Sequence, residues 1–391
     1  MEADPRISGR ALGPVPAAPA RNARLDGLRG YAAFVVAIYH TIIGMDISLA
    51  DRIVPATVQS LQNGYDRALK IALLIVSGET AVVIFFVLSG VVLFKSLAAD
   101  RAPFPTLSFH FVVRRIFRIY PALLACLMAS ALVLPWAGVA GFDLRRLAEN
   151  ALLLDFKING ATWTLAVEFL AIPLFLAAIL AYRRFGEWGL LGLVLLIWLA
   201  MLKPVKTDVL QLQLMQVHWF AFALGMLIPT RIGERVVQVF PLIMLPVFFI
   251  CMLLARHVIE GPNTSTRLLQ WSAALLVLML YHGTSGGFGR FLERPVSQFL
   301  GRISYSFYLF NVMFLEIVCH HLRGQPWAAA RPLEAGLLAS VAVIALTLPV
   351  AYLSARYIEE PAIRAGRALL GRRKSGSGAS KETAPAHEPV S

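Results

Sequence analysis

Polar positions are sparse along this chain, and the apolar ones come in long runs. The runs fall near 28–45, 70–94, 116–137, 163–182, 188–202, 212–228, 237–255, 268–282, 303–321 and 335–355. Most approach the ~20 residues that a helix needs to cross a bilayer. The pattern predicts an all-α, polytopic integral membrane protein of about ten transmembrane helices, all in one domain over residues 24–370. Two polar tails flank it. Residues 1–23 are rich in Pro and Ala and have no apolar stretch beside a basic start, so a disordered cytoplasmic tail is expected there rather than a signal peptide. The first span would then act as a retained insertion signal. Residues 371–391 are rich in Gly, Ser and Pro and read as a second disordered tail.

Composition sharpens the class. The chain is 58% hydrophobic and 15% charged, with a mean hydropathy of +0.68, against roughly 25% charged in ordinary soluble domains. The net charge of +13 points to membrane lipids, not nucleic acid, because basic residues crowd the span ends, where anionic headgroups lie. With the N-terminus inside, the inner segments hold 24 of the 36 Lys and Arg residues. Without the tails the split is even, so the N-in/C-in expectation rests mainly on two basic tails placed on one side by an even number of spans. Cys126, Cys251 and Cys319 lie in apolar runs with no CxxC or Cys/His spacing, which implies neither a disulfide framework nor a metal site.

Ionisable residues inside the runs carry the candidate chemistry, since each is costly in a bilayer unless paired or wetted. "RLDGLRGYAAFVVAIYH" (24–40) contains Arg29 and His40. Eleven residues at helical rise separate them by roughly 16 Å, on nearly the same face. Arg29 would lie near the inner boundary and His40 well inside. An elongated ligand with an anionic head fits that geometry; headgroup snorkelling by Arg29 and a helix contact by His40 fit it too. "FHFVVRRIFRIYP" (109–121) sets Arg115 and Arg118 on adjacent turns of one face, ahead of a Pro-led span. Two such guanidiniums can grip phosphate by bidentate hydrogen bonds, or simply mark an inner loop. In "WTLAVEF" (163–169), Glu168 could orient His40 or form an ion pair with an arginine of another helix. His218 and Glu79 read first as satisfied polar groups near helix ends, and Ser89 as a packing residue. Trp136, Trp163 and Trp327 fall near the expected outer boundary, where they could stack on sugar rings or serve as ordinary interfacial anchors.

These stretches, with "VVIFFVLSGVVLF" (82–94), "LGRISYSFYLFN" (300–311) and "YIEEPAIRAGRAL" (357–369), resemble in order the signatures of the acyltransferase-3 family, bacterial membrane enzymes that O-acylate sugars and related acceptors. The resemblance implies a multi-pass protein of the bacterial inner membrane. It implies acyl-CoA, most simply acetyl-CoA, as co-substrate, with no metal, and an envelope glycan or lipid-linked sugar as acceptor. It assigns His40 as the essential histidine, Arg29 as its partner arginine, and Arg115 and Arg118 as the acyl-CoA-associated RxxR pair. Asp26 and Glu168 match recurrent acidic positions. Many members have a histidine at the position of Asn311, so a proton relay is not expected there. The C-terminal esterase-like domain that many members carry is also missing here, which implies that the chain acts or hands off by itself. A transporter lined by intramembrane Arg, His and Glu is the alternative from another class.

Overall fold

A computed structural model describes residues 22–139, 141, 143–202, 212–258, 262–283 and 286–376. The described elements are helical. The chain opens with α1 (Ala23–Met45), α2 (Leu49–Arg52), α3 (Gly64–Ile75) and α4 (Gly78–Ala99). It continues through α5 (Phe104–Trp136), α6 (Leu144–Ala151), α7 (Trp163–Leu170) and α8 (Ile172–Ala200). Next come α9 (Leu212–Leu227), α10 (Arg231–Val239), α11 (Met244–Val258), α12 (Pro262–Tyr281) and α13 (Gly286–Leu292). The last are α14 (Pro295–Arg323), α15 (Pro326–Ala330), α16 (Pro332–Ser354) and α17 (Glu360–Gly376).

Among the described residues, six helical stretches are long and apolar enough to cross a bilayer, which makes the chain a multi-pass membrane protein. The ten apolar runs all fall on helices, but several boundaries differ from expectation. The run 70–94 is interrupted where Ser77 caps α4, its hydroxyl accepting from the Thr80 amide. Pro121 does not begin a span; α5 passes continuously through it, so Arg115 and Arg118 sit inside a 33-residue helix. The run 237–255 is split by a 100° bend between α10 and α11. Within α8, Gly186 takes a positive φ of 63°, a backbone state cheap only for glycine, and so divides one long helix into two segments. Residues 371–376 complete α17; the other expected tail residues, 1–21 and 377–391, lie outside the described ones.

Close packing centres on α1. It runs beside α14 in the same direction, and a Cβ added at Gly27, Gly30 or Gly301 would meet the facing backbone. Such small-residue contacts hold membrane helices together where no hydrophobic drive acts between them. Tyr31 stacks on Phe291 and Phe34 on Phe307 along the same seam. On the other side of the bundle, α4 and α9 meet at Gly90 and Gly225, each too close to the opposite helix for any side chain.

Some of the polar links between elements lie at the two ends. At one, Arg24 pairs with Glu293 at 2.7 Å, Arg183 donates to the Ala102 carbonyl at 2.9 Å, and the Arg231 amide donates to Glu187 at 2.8 Å. At the other, Arg52 pairs with Asp66 at 2.7 Å and the Tyr65 hydroxyl donates to Glu334 at 2.7 Å.

Candidate active site

The start of α7 is built before its carboxylate is placed. Asn159 accepts from the Ala161 amide at 3.0 Å and donates to the Leu309 carbonyl of α14 at 2.8 Å. Tyr308 donates to the Ala161 carbonyl at 3.1 Å and lies 2.9 Å from the Thr164 hydroxyl. Thus pinned, α7 carries Glu168 into the bundle.

There Glu168 meets Arg115. The Arg115 Nη2 lies 2.5 Å from Glu168 Oε1, and the Ser89 hydroxyl of α4 donates to the same oxygen at 3.0 Å. Arg115 is only 6% exposed. Its Nη2 N–H is not aligned on the carboxylate, and its Nε has no partner, so charge more than hydrogen-bond geometry holds the pair. Arg29 of α1 is close enough to Glu168 to act on it electrostatically, and it also lies 3.9 Å from Asp26. Four helices therefore bring Arg29, Arg115, Glu168 and Ser89 into one cluster, with Arg115 buried and the other three partly buried.

Arg118, one turn along α5, has a separate partner. Its Nη1 pairs with Glu359, and its guanidinium lies 5.0 Å from the Tyr305 ring centroid. Glu359 is 4% exposed and also accepts from the Ser306 hydroxyl at 2.9 Å. It closes a five-residue π turn, Ala355–Glu359, between α16 and α17. Pro361, two residues on, lacks the N–H that a regular helix would donate back into this turn, and π turns of this kind recur at functional sites.

His40 stands apart. Its ring is partly exposed, sits edge-on to Tyr39 at 5.3 Å, and has no hydrogen bond or charged partner among the described residues. Tyr39 in turn lies over Gly78 at the head of α4. Gly78 is eleven residues from Ser89, roughly 16 Å along the helix, the same separation as Arg29 from His40 on α1. Two helices thus agree that the Arg115–Glu168 cluster and His40 occupy different depths. Of the two readings open for Glu168, the structure takes the ion pair with an arginine of another helix; Glu168 does not orient His40. Ser89 belongs to the same ion pair rather than to packing alone.

Other candidates find quieter places. Glu79 sits in the first turn of α4, where a carboxylate favours the helix dipole. Asn311 is fully buried and donates to the carbonyls of Phe307 at 3.0 Å and Tyr308 at 2.6 Å, leaving its Oδ1 without a partner. Trp136 is exposed and Trp327 half-exposed, whereas Trp163 packs against both Phe86 and His218. Sequence reasoning passed over Glu359 and Tyr305, although both lie in quoted stretches; the pair of acids ahead of Pro361 was the available signal for the first.

A family model described as an acyltransferase domain, of the acyltransferase-3 type, matches residues 22–356. That span contains His40, the Arg115–Glu168 cluster and Arg118, while Glu359 lies three residues beyond it. No curated protein and no solved structure matches the chain.

Proposed function

The chain belongs to the acyltransferase-3 family, and on that premise we propose that it moves an acyl group, most simply acetyl, from cytoplasmic acyl-CoA to a hydroxyl of an envelope glycan or lipid-linked sugar in the bacterial inner membrane. A membrane acyltransferase follows from the family match and the apolar helices; donor, acceptor and base are the proposal. In this reading the chain has ten spans with both tails cytoplasmic. Support comes from the helical state of all ten apolar runs and from the basic segments around Arg24, Arg183 and Arg231, which are linked at one end of the bundle.

One observation carries the mechanism: Arg29 of α1 and Arg115 and Arg118, inside α5, lie near one depth of the bundle, while His40 lies roughly 16 Å further along α1, without a charged partner among the described residues. An acyl-CoA docked from the cytoplasm would place its phosphates at the arginines and extend its pantetheine arm toward His40. Asp26, Glu168 and Glu359 balance the three arginines, so phosphate would bind through guanidinium N–H groups that the carboxylates leave unused. Arg118 is the best placed, since it spends one Nη on Glu359 and its side chain is 31% exposed.

His40 would then act as general base, a role suited to imidazole near neutral pH. It takes the proton from the acceptor hydroxyl as that oxygen attacks the thioester carbonyl. The C–S bond breaks, coenzyme A leaves as thiolate, and the imidazolium returns its proton to the sulfur. The products are an O-acyl ester and free coenzyme A. Membranes containing the protein, given acetyl-CoA labelled in the acetyl group, should transfer label into the glycan or lipid-linked sugar fraction. Label that stays in acetyl-CoA, with coenzyme-independent flux of a sugar through proteoliposomes, would instead support a transporter.

A further inference from the structure

Between the arginine cluster and His40 the bundle holds a third ionisable residue in different surroundings, and it deepens the function proposed above, on which it rests. The Gly90–Gly225 contact draws α9 against α4. One turn from it Phe222 lies on Phe86, with ring centroids 4.9 Å apart, and one turn further His218 lies on the same Phe86 at 5.0 Å. Trp163 also lies against the imidazole, at 5.3 Å, and against Phe86, at 6.2 Å, so the three rings form a triangle. His218 is 7% exposed, and its Nδ1 is buried with no hydrogen-bond partner. No carboxylate or arginine contacts it among the described residues.

Depth places these three rings between the two parts of the site. Phe86 precedes Ser89 by three residues on α4, and Trp163 precedes Glu168 by five on α7. Both offsets set the His218 level roughly 5–8 Å beyond the Arg115–Glu168 pair, toward the His40 end. A buried ring nitrogen without a partner costs stability, and a phenylalanine would pack on the same rings without that cost. Retention of histidine among apolar ring faces is what an uncharged ligand with a hydrogen-bonding group requires.

We infer that Phe86, Trp163 and His218 form the subsite for the pantetheine arm of acyl-CoA, with His218 hydrogen-bonding one of its amides. The arm is neutral, slender and amide-bearing, and it must cross this depth if the phosphates rest at the arginines and the thioester reaches His40. His218 here is a binding residue and takes no part in proton transfer.

The test compares two probes on purified full-length protein: acetyl-CoA, and 3′,5′-ADP, which keeps the nucleotide end of the coenzyme and lacks the arm. His218→Phe should bind acetyl-CoA about five- to tenfold more weakly, the loss expected for one hydrogen bond to a buried group. It should bind 3′,5′-ADP as the wild type does and melt no lower than the wild type. His218→Gln, which restores a hydrogen-bonding group, should recover most of the acetyl-CoA affinity. Unchanged acetyl-CoA affinity in His218→Phe would overturn the inference and leave His218 a packing residue. Equal weakening of both probes would overturn it too, by locating the loss away from the arm. Wild-type protein that binds neither probe would sink the acyl-CoA reading itself, and this subsite with it.

Discussion

At the depth of Arg115 the ionisable side chains come in opposite-charge pairs, Arg115 with Glu168, Arg118 with Glu359 and Arg29 near Asp26. At the depths of His218 and His40 the imidazoles have aromatic neighbours and no charged partner among the described residues. Both arrangements put ionisable groups where the surroundings are apolar, and they solve that cost differently. The arginine layer cancels charge against charge and ties α5 to α7 and to the π turn. The histidine layers rely on imidazoles, which need no counter-charge when neutral, and their nitrogens have no charged partner among the described residues. Under the proposed function, the contrast gives structure and anchoring to one layer and contact with the reacting substrate to the other.

Breaking the arginine layer should therefore cost stability first. Arg115→Ala leaves the partly buried Glu168 carboxylate beside Ser89 with its main counter-charge gone, and should destabilise by about 2 kcal/mol, below the cost of breaking a fully buried pair. Thermal unfolding in detergent would register it as a lower melting temperature. The paired replacement Arg115→Leu with Glu168→Leu should recover most of that loss, because two apolar side chains need no counter-charge. It should not recover acyl transfer. A double variant that is active would show that the pair is only structural.

Glu359→Gln is milder. It keeps an acceptor for the Ser306 hydroxyl while removing the charge opposite Arg118, whose side chain is partly exposed. A loss of about 1 kcal/mol is expected, read from the same unfolding curves. Smallest of all is the effect of His40→Asn on folding. With no hydrogen bond or ion pair to lose, its melting temperature should stay within a degree or two of the wild type, as for a substitution costing under about 0.5 kcal/mol. A large drop would mean that His40 holds a structural contact and would erase the contrast between the layers.

Much of this was legible in the chain. Long apolar runs mark helices because a bilayer leaves the backbone little else, and the eleven-residue interval from Arg29 to His40 gives their depths directly. The partners were not legible. Arg118 and Glu359 are 241 positions apart, and nothing local in either stretch says which acid meets which arginine; only the packing of α5 against the π turn decides it. Glu168 could as well have faced His40 until Asn159 and Tyr308 fixed the start of α7 at a different depth. The break within α8 turns on Gly186, a single glycine in an apolar sequence, and the bend at Pro241 hides within a run whose hydrophobicity continues across it. Trp163 reads as interfacial by type, yet it packs against Phe86 and His218.

The central claim is that His40 performs the chemistry while the arginine layer holds the coenzyme. Release of free thiol from acetyl-CoA by purified protein, with a bacterial glycan extract as acceptor, tests it most directly in wild type and His40→Ala side by side. The account predicts release by the wild type and a rate about 10²- to 10⁴-fold lower in His40→Ala, the usual contribution of a general base, with acetyl-CoA affinity little changed. Equal release by both proteins would contradict it, by removing His40 from the reaction.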